Sequence, residues 1–326
     1  MRRRFRRRAT GVKAVSLLPH SARGPAVRAG GVQHRQQAWE DAEVTRRIAY
    51  QGEPGANSDI VCRQHYPDWE PLPCASFEDV FAAVAGGQAE LALLPIDNSL
   101  AGRVADIHHF LPTSGLHIVA EHFLRITFTL MGVRGADPAQ INTVRSHVHA
   151  LGQCRQVIRE RHLTPMVAGD TAGAAREVAD LGDPTQAAIA PPLAAEIYGL
   201  EIFATDVEDA DHNTTRFVVL SPEERRTSSG AGPVVTTFVF KVRNLPAALY
   251  KALGGFATNG VNMTKLESYM VDGEFVATMF LAEVDGHPDD LPVKRALEEL
   301  EFFTTEVHVL GVYPADAYRL EAGSPA

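Results

Sequence analysis

Short apolar segments alternate with helix-like segments from residue 47 onward, and this alternation limits the fold more than any other feature of the sequence. Residues 48–50 and 91–94 have the composition of buried strands. Between them, residues 77–84 place apolar side chains at helical spacing, with a capping box from Ser76 to Asp79 and a Gly-Gly stop at residues 86–87. Because strands that alternate with helices are typical of a mainly parallel sheet, we expect residues 46–222 to form an α/β domain.

The same strand-and-helix unit recurs in the middle of this segment. Residues 125–130 are predicted to form a strand, and further strands are predicted at 143–144, 166–168 and 187–190. The helices that follow them are expected at 147–161, from 170–171 onward, and through Tyr198 to Gly199. Parallel sheets bind ligands beyond the carboxyl ends of their strands, so the loops after these strands are the expected sites.

The pattern changes after residue 222. Residues 223–233 are rich in Ser, Gly and charged side chains and are predicted to be a linker. Beyond it, strands are expected at 234–242, 262–270, 275–284 and 306–313, with helices at 246–259 and 291–300 and a hairpin turn at Asp272-Gly273. This βαββαβ order predicts a second, small domain at residues 234–315, followed by a tail at 316–326.

The charge is distributed unevenly. The net charge is −9, but the first 39 residues carry nine Arg and one Lys and no acidic residue, which leaves −19 on the remaining chain. Residues 1–45 are predicted to be a disordered, Arg-rich extension. A transit peptide, a basic arm for RNA or membrane, and a translated extension without a role are all open, and we favour the last because no amphipathic face is evident. The acidic remainder disfavours binding to nucleic acid.

No apolar run approaches the roughly 20 residues that a membrane helix needs. We therefore expect no membrane partner and a cytoplasmic location. The three cysteines Cys62, Cys74 and Cys154 match no metal or redox spacing, which indicates idle thiols in a reducing compartment.

Histidine pairs do not predict a metal site. His147 and His149 are two residues apart and do not share a helix face, and His108-His109 has no carboxylate or cysteine at useful spacing. We expect neither a metal nor an organic cofactor.

Polar clusters follow several of the predicted strands. The Gly52–Ser58 segment either presents backbone N–H groups to an anion or forms a tight turn with a helix cap. Asp97, Asn98 and Ser99 either contact a carboxylate or cap a helix. Asp170-Thr171 either caps a helix or makes a polar contact to a ligand, and Ser146-His147 opens a helix after a strand.

The most informative cluster is Asn213-Thr214-Thr215-Arg216-Phe217, which lies between an acidic loop at 208–211 and an apolar strand. An arginine at the start of a strand is costly to bury without an anion. Arg216 therefore binds either an anionic ligand or the neighbouring acids.

These segments together resemble the prephenate dehydratase family. Asn213 with Thr215-Arg216-Phe217 is similar to the family signature N-x-T-R-F, and Pro95–Ser99 with Gly102 and Val104 is similar to P-(I/V)-E-N-S-x-x-G-x-V. Four more blocks match in order across residues 47–220: 52–58; Ser146-His147 with Ala150-Leu151 and Gln153-Cys154; Thr171-Ala172 with Ala174-Ala175; and 187–190 with Tyr198-Gly199-Leu200. Residues 244–249 and 262–268 resemble the two ligand-binding segments of an ACT regulatory domain.

The resemblance implies an α/β fold with a two-lobed catalytic domain like that of periplasmic binding proteins and a ferredoxin-like ACT domain. Lobe one would comprise about residues 47–121 and the return segment near Asn213, and lobe two the residues between. The implied reaction converts prephenate into phenylpyruvate, water and CO2 without a cofactor. The implied partners are prephenate, L-phenylalanine as the effector, and further copies of the chain in a homo-oligomer (dimer or tetramer).

The resemblance also assigns roles to residues. The catalytic ones would be Thr215, as donor to the departing hydroxyl, with Asn98 and Ser99. Arg216 would either bind a carboxylate or support the cleft. The remaining substrate-binding positions would be Gly55, Asn57, Ser58, Asp97, Ser146, Thr171, Asn213 and Phe217, and the effector-binding positions would be Asn244, Ala247, Ala248, Leu249, Asn262, Glu267 and Ser268.

The sequence departs from the family pattern at several positions. Asp97 stands where Glu is usual, Val148-His149 where Pro-Gln is common, and Pro191 where Ser is common. In the ACT-like segment, Ala247 replaces a frequent Gly and Tyr269-Met270 replaces Arg-Pro, which puts the effector and its strength in question. Arogenate dehydratase and a non-catalytic amino-acid-binding regulator remain alternatives.

Overall fold

Two β-sheets organise the described part of the chain, one of ten strands and one of five. The computed structural model describes residues 46–104, 107, 110–270 and 277–322. The extension at 1–45 and the turn at Asp272-Gly273 lie outside these residues.

The first part of the chain builds one end of the larger sheet. Its elements are β1 (Arg47–Gln51), α1 (Asn57–His65), β2 (Glu70–Cys74), α2 (Phe77–Ala85), β3 (Leu91–Asn98), β4 (Gly102–Arg103), a 3-10 turn (Leu111–Thr113) and β5 (His117–Arg125). Alternation along the strands separates two cores, because side chains of successive residues point to opposite faces. Ile48 and Tyr50 pack with Val61 and Cys62 of α1, whereas Ala49 lies on the face of α2.

The middle of the chain forms the smaller sheet and its helices. Its elements are β6 (Thr129–Gly132), β7 (Thr143–Ser146), α3 (Val148–Gln153), α4 (Arg155–Glu160), β8 (Thr164–Val167), α5 (Thr171–Leu181), β9 (Gln186–Ala190), α6 (Pro192–Tyr198) and β10 (Glu201–Ala204). Next, β11 (Thr214–Ser221) returns to the larger sheet and pairs antiparallel with both β3 and β5. Lobe one and lobe two below denote the parts built on β1–β5 with β11 and on β6–β10.

Two predictions for this region are wrong. Residues 126–128 form no strand, because they carry the chain from one lobe to the other, with Ile126 and Phe128 packed into the core of lobe two. The helix predicted at 147–161 is two helices, because the Asp209 carboxylate accepts the backbone N–H groups of Arg155 and Gln156 and starts α4 there.

The sheets are mixed rather than mainly parallel. β1 pairs parallel with β2 and β3, and β7 pairs parallel with β8 and β9. The strands that flank the two crossings between the lobes, β5, β6, β10 and β11, make antiparallel pairs. Within the two lobes, most antiparallel pairs therefore lie next to the two crossings.

The last part of the chain has the predicted βαββαβ order. Its elements are β12 (Val234–Val242), α7 (Ala248–Thr258), β13 (Met263–Met270), β14 (Ala277–Asp285), α8 (Leu291–Phe303) and β15 (Thr304–Pro314), followed by α9 (Ala317–Ala322), which the sequence did not predict. The strands lie in the order β13-β14-β12-β15 and are antiparallel to one another. Residues 234–322 are called the C-terminal segment below.

The C-terminal segment is joined to lobe one through the larger sheet. β15 touches β5 in parallel at Gly311 and Ile118. A Cβ atom at Gly311 would lie 2.7 Å from the Ile118 Cβ and still closer to its carbonyl oxygen, so only glycine permits this approach. Val235 and Leu281 also join the apolar cluster that contains Val80 of α2.

Candidate active site

Thr215 and Asn98 form a hydrogen-bonded pair on neighbouring strands. They lie opposite each other in the pairing of β11 with β3, so their side chains project from the same face of the sheet. The Asn98 Nδ2 donates to the Thr215 Oγ1 over 2.9 Å. Thr215 is 9% exposed, and its β-branched side chain has few rotamers. The pair predicted from the sequence is thus assembled across 117 residues of chain.

The Asn98 amide has one orientation that satisfies its neighbours. Its Oδ1 accepts the backbone N–H groups of Leu100 (3.0 Å) and Ala101 (2.8 Å), which fixes Nδ2 as the atom facing Thr215. Since the Thr215 oxygen accepts this bond, its own proton is left to donate. No described residue accepts it.

Asn213 extends the pair into lobe two. Its Oδ1 accepts from the Asn98 Nδ2 over 2.8 Å, and its own Nδ2 donates to the Gln153 Oε1 over 2.9 Å. Asn213 is buried, and Gln153 is the last residue of α3. The chain of amides therefore couples the Thr215 position to the relative placement of the two lobes. Gln153 lies in a sequence block that resembles the family, but it was not among the predicted site residues.

Ser99 links two backbones beside this pair. Its hydroxyl donates to the His212 carbonyl and accepts the Thr214 N–H, each over 2.9 Å. The hydroxyl therefore acts both as a donor and as an acceptor at the point where β3 and β11 meet. The structure places Ser99 next to the predicted catalytic pair as a cross-link between its strands.

The loop between β1 and α1 rests on lobe two. The Pro54 carbonyl accepts from the Tyr198 hydroxyl over 2.9 Å, and a Cβ at Gly55 would lie 2.8 Å from the Ala194 Cα. The Gly55 N–H, which was expected to bind substrate, donates to the buried Asp59 carboxylate over 2.8 Å. Gly55 therefore serves the contact between the lobes in this structure.

The other predicted binding residues of this cleft lie at the starts of helices. Asn57 and the buried Ser58 open α1, and Thr171 opens α5 behind its cap Asp170. Ser146 ends β7 and donates to the Ile189 carbonyl over 2.5 Å. None of these side chains hydrogen-bonds Thr215 or Asn98.

Arg216 and Asp97 project from the opposite face of the same strands. The Arg216 guanidinium donates to Glu121 (2.7 Å), to both oxygens of Glu283 (2.9 Å) and to the Tyr313 hydroxyl (2.9 Å). Asp97 binds Lys265 and lies 3.5 Å from Arg216. Of the two roles left open for Arg216, these contacts favour support of the cleft, and they point Asp97 away from Thr215.

Glu283 is held in its ionised form beside Arg216. Complete burial alone would raise the pKa of Glu283, but the adjacent Arg216 and Arg319 guanidinium groups hold it below its usual value. Neither Glu121, Glu283 nor Arg319 was predicted from the sequence to take part in a site, and Phe217 lies in the core beside α1.

A cavity of about 890 Å³ opens between α1, the end of β5 and α6. Leu124, which is opposite Thr215 in the sheet, lines it together with three arginines and one glutamate: Arg63, Arg125, Arg134 and Glu196. Arg63 pairs with Asp59, and Arg134 donates to the Gly199 carbonyl. The Arg125 side chain makes no ion pair or hydrogen bond with a described residue, and it borders both this cavity and a smaller one lined by Asp206, Glu208, Asp209 and Asp211.

His147, which lies at the start of α3, is neutral. Burial and the adjacent His149 lower the pKa of His147 below its usual value. Among the residues that the structure describes, no three His, Cys, Asp or Glu side chains are grouped as metal ligands, and no helix is long and apolar enough to span a membrane.

The predicted effector-binding residues lie on the C-terminal segment. Ala247 precedes α7 with φ 64°, a left-handed conformation that suits the glycine it replaces. The Asn262 side chain donates to Asp285 over 2.7 Å, and Glu267 lies 3.3 Å from Arg103 of lobe one. The remaining members of the predicted set flank these residues at 244, 248, 249 and 268.

Comparisons with known proteins identify the family of the chain. A model of the prephenate dehydratase family matches residues 48–225. A protein of Komagataeibacter europaeus described as a bifunctional N-acyl-homoserine lactone acylase/prephenate dehydratase is 52% identical over 274 residues, which cover 84% of this chain and 98% of the relative. An Arabidopsis thaliana arogenate dehydratase/prephenate dehydratase is 34% identical over 86% of this chain and 74% of its own length.

Solved structures give the same result. A protein described as a novel type of quorum-quenching acylase is 52% identical, with a TM-score of 0.79 over 84% of this chain and 100% of its own. The prephenate dehydratase of Arthrobacter aurescens, solved in complex with L-Phe, is 28% identical, with a TM-score of 0.76 over 86% of this chain and 92% of its own. The family resemblance of the sequence is therefore confirmed, and the chain belongs to the prephenate dehydratase family, the hydro-lyases of phenylalanine biosynthesis.

Proposed function

We propose that the chain removes water and CO2 from prephenate to give phenylpyruvate, with Thr215 as the donor to the departing hydroxyl. The observation that carries this proposal is the direction of one hydrogen bond. Because Asn98 donates into the Thr215 oxygen, the Thr215 proton faces away from Asn98 and is free for a ligand.

The reaction asks little of the protein beyond this donor. The bond to the ring carboxylate breaks and releases CO2, its electron pair completes the aromatic ring, and the ring hydroxyl leaves with the electrons of its C–O bond. One proton converts that hydroxyl into water. Threonine is a weak acid, so Thr215 stabilises the oxygen as negative charge develops and transfers its proton late, with solvent restoring it.

The amide chain keeps the donor in place. Asn98 orients the Thr215 oxygen, and Asn213 with Gln153 ties both to lobe two. Positioning of this kind is a large part of catalysis, since displacement of a reacting group by about 1 Å can lower the rate about 100-fold.

The substrate carries two carboxylates and needs positive charge near the cleft. Arg216 is fully engaged by Glu121 and Glu283, whereas the Arg125 side chain at the end of β5 has no partner among the described residues and borders the cavity beside Leu124. We propose that Arg125 attracts the carboxylate that is retained in the product. The carboxylate that becomes CO2 is better left without a cation, because binding its charge tightly would stabilise the ground state.

We further propose that lobes one and two form a catalytic domain (residues 46–222) like that of periplasmic binding proteins, and that residues 234–315 form an ACT domain which binds L-phenylalanine in a cytoplasmic homo-oligomer. Support comes from the βαββαβ order, from the two crossings between lobes, and from the Arthrobacter aurescens relative solved with L-Phe. The linker at 223–233 would let an effector shift the balance between two arrangements.

The test is turnover of prephenate by the purified chain, with phenylpyruvate measured by its absorbance in alkali. We expect wild type to form phenylpyruvate, Asn98→Ala to lose about 100-fold in kcat, and the exposed control Asn142→Ala to match wild type. Absence of phenylpyruvate with the folded wild-type chain would refute the proposal.

Arogenate is a second candidate substrate, because the Arabidopsis thaliana relative is described as acting on both. Parallel assays with arogenate decide between them through the ratio of the two kcat/KM values. Since the Komagataeibacter europaeus relative is described as bifunctional, an N-acyl-homoserine lactone belongs in the same assay series.

A further inference from the structure

A closed ring of ion pairs joins the strand that carries Thr215 to the C-terminal segment. The ion ring consists of Arg216, Glu121, Arg319 and Glu283, taken in order around it. Successive members are separated by 2.7, 2.6, 3.0 and 2.9 Å. Lobe one supplies Arg216 and Glu121, and the C-terminal segment supplies Arg319 and Glu283. Each side contributes one cation and one anion, and two of the four ion pairs, Glu121–Arg319 and Arg216–Glu283, cross between lobe one and the C-terminal segment.

Three of the four members of the ion ring are buried, and Arg319 is partly exposed. The side chains of Glu121 and Glu283 are 0% and 1% exposed, and that of Arg216 is 6% exposed. Arg216 also donates to the Tyr313 hydroxyl, which is 2.7 Å from the Thr237 hydroxyl. Because a buried charge that loses its partner is strongly unfavourable, the members hold one another in a single arrangement.

The short helix α9 completes the ion ring. The Tyr318 ring stacks on Phe123 of β5, with ring centroids 4.6 Å apart. The Asp316 N–H donates to Glu121 over 3.1 Å. These contacts place the Arg319 guanidinium against Glu121 and Glu283. The helix α9, which the sequence suggested to be a tail, therefore holds the C-terminal segment against lobe one.

Both members of the catalytic pair have a neighbour held from the C-terminal segment. Thr215 precedes Arg216, which Glu283 binds, and Asn98 follows Asp97, which Lys265 of β13 binds. Successive residues of a strand point to opposite faces. Fixing the outer side chains therefore fixes the direction of the inner ones.

We propose that the ion ring makes the C-terminal segment part of the catalytic apparatus, with Glu283 and Arg319 as positioning residues for Thr215 and Asn98. This inference rests on the function proposed above. It also gives a physical route for regulation, because a ligand that moves β14 or α9 moves Arg216 and with it Thr215.

The test compares variants of the ion ring with exposed controls on the same segment. Glu283→Gln keeps the shape of the side chain and removes its negative charge. Arg319→Ala removes the ion pairs of Arg319 with both glutamates, and Arg319→Lys keeps the positive charge. Glu298→Gln and Arg295→Ala, on the exposed side of α8, are the matched controls.

We expect Glu283→Gln and Arg319→Ala to lower kcat on prephenate about 10-fold or more while KM changes less than about threefold, because binding groups stay and the donor shifts. Arg319→Lys should recover part of the loss, and the controls should match wild type. A wild-type kcat in Glu283→Gln and Arg319→Ala, even with lowered thermal stability, would overturn the proposal. It would show that the ion ring only holds the C-terminal segment to lobe one.

Amide hydrogen exchange separates this inference from the function on which it rests. In the two loss variants, β11 should exchange about 10-fold faster than in wild type, with β9 of lobe two unchanged as the internal reference. A wild-type chain inactive on prephenate, with β11 loosened in the variants, would refute the proposed function and support the ion ring. Unchanged hydrogen exchange in β11 of both loss variants would overturn the positioning role of the ion ring, whatever the activity of these variants.

Discussion

Replacing Gly311 with alanine should separate the C-terminal segment from lobe one. Gly311 is the point where β15 approaches β5, and the added Cβ would lie 2.7 Å from the Ile118 Cβ and in closer conflict with the Ile118 carbonyl oxygen. Ordinary contact for a Cβ begins near 3.4 Å, so the strands must part by at least about 0.7 Å. Both conflicting groups belong to a buried sheet, and a rotamer change cannot relieve the clash.

Overpacking of this kind costs about 1–3 kcal/mol. At about 2–4 °C per kcal/mol, Gly311→Ala should lower the Tm by about 2–12 °C. The control is Gly254→Ala in α7, where no atom lies within 4 Å of the added Cβ. There alanine should stabilise by up to about 1 kcal/mol, because glycine is a poor helix former.

The assay is thermal unfolding of both variants beside wild type, followed by near-ultraviolet circular dichroism. The two substitutions add the same atom, and the expected shifts have opposite signs. A Tm for Gly311→Ala within 1 °C of wild type, or shifts of equal sign in both variants, would refute the close strand contact.

Two more predictions concern the contact between lobes and pH. Gly55→Ala should lower kcat/KM on prephenate about 10-fold, because the added Cβ lifts the loop from Ala194. The control Gly87→Ala is also at positive φ but in open space, and it should only lower the stability by about 1–2 kcal/mol. Equal kcat/KM values in the two variants would contradict this prediction. Burial and the adjacent His65 lower the pKa of His122 from 6.5 to about 4. As the pH falls, the unfolded chain binds a proton at His122 before the folded chain does. The wild-type free energy of unfolding should therefore fall by up to roughly 3 kcal/mol between pH 6.5 and 4, and His122→Gln should remove this loss. Equal pH dependence in the two proteins would exclude His122 as its source.

Elements with local signals were predictable from the sequence. The capping box at Ser76 and Asp79 is present at the start of α2, and Gly199 ends α6 in the left-handed conformation. Both signals act within one helical turn, so they need no knowledge of the rest of the fold.

Strands whose form depends on distant partners were not predictable. β2 contains Pro71 and Pro73, which argue against a strand, yet it forms at the sheet edge where only β1 must be paired. Conversely, the apolar run at 126–128 looks like a strand, but its side chains are buried by the core of lobe two while its backbone crosses between lobes.

The candidate site, like the fold, was predictable from the sequence only in part. Resemblance to family motifs pointed to Thr215 and Asn98, and the sheet register brings them together. The partners of Arg216 lie 67 to 97 residues away along the chain and carry no motif of their own, so the sequence left its role open. Alternation along the strand separates Arg216 from Thr215, but only the register shows that Asn98 lies beside Thr215.

The most direct measurement is kcat and KM on prephenate for Thr215→Val and Thr215→Ser beside wild type. Valine keeps the shape and removes the proton donor, whereas serine keeps the hydroxyl. We expect Thr215→Val to lose about 100-fold or more in kcat with KM within about threefold, and Thr215→Ser to keep at least about a tenth of the wild-type rate. Turnover by Thr215→Val at the wild-type rate would contradict the assignment of the donor.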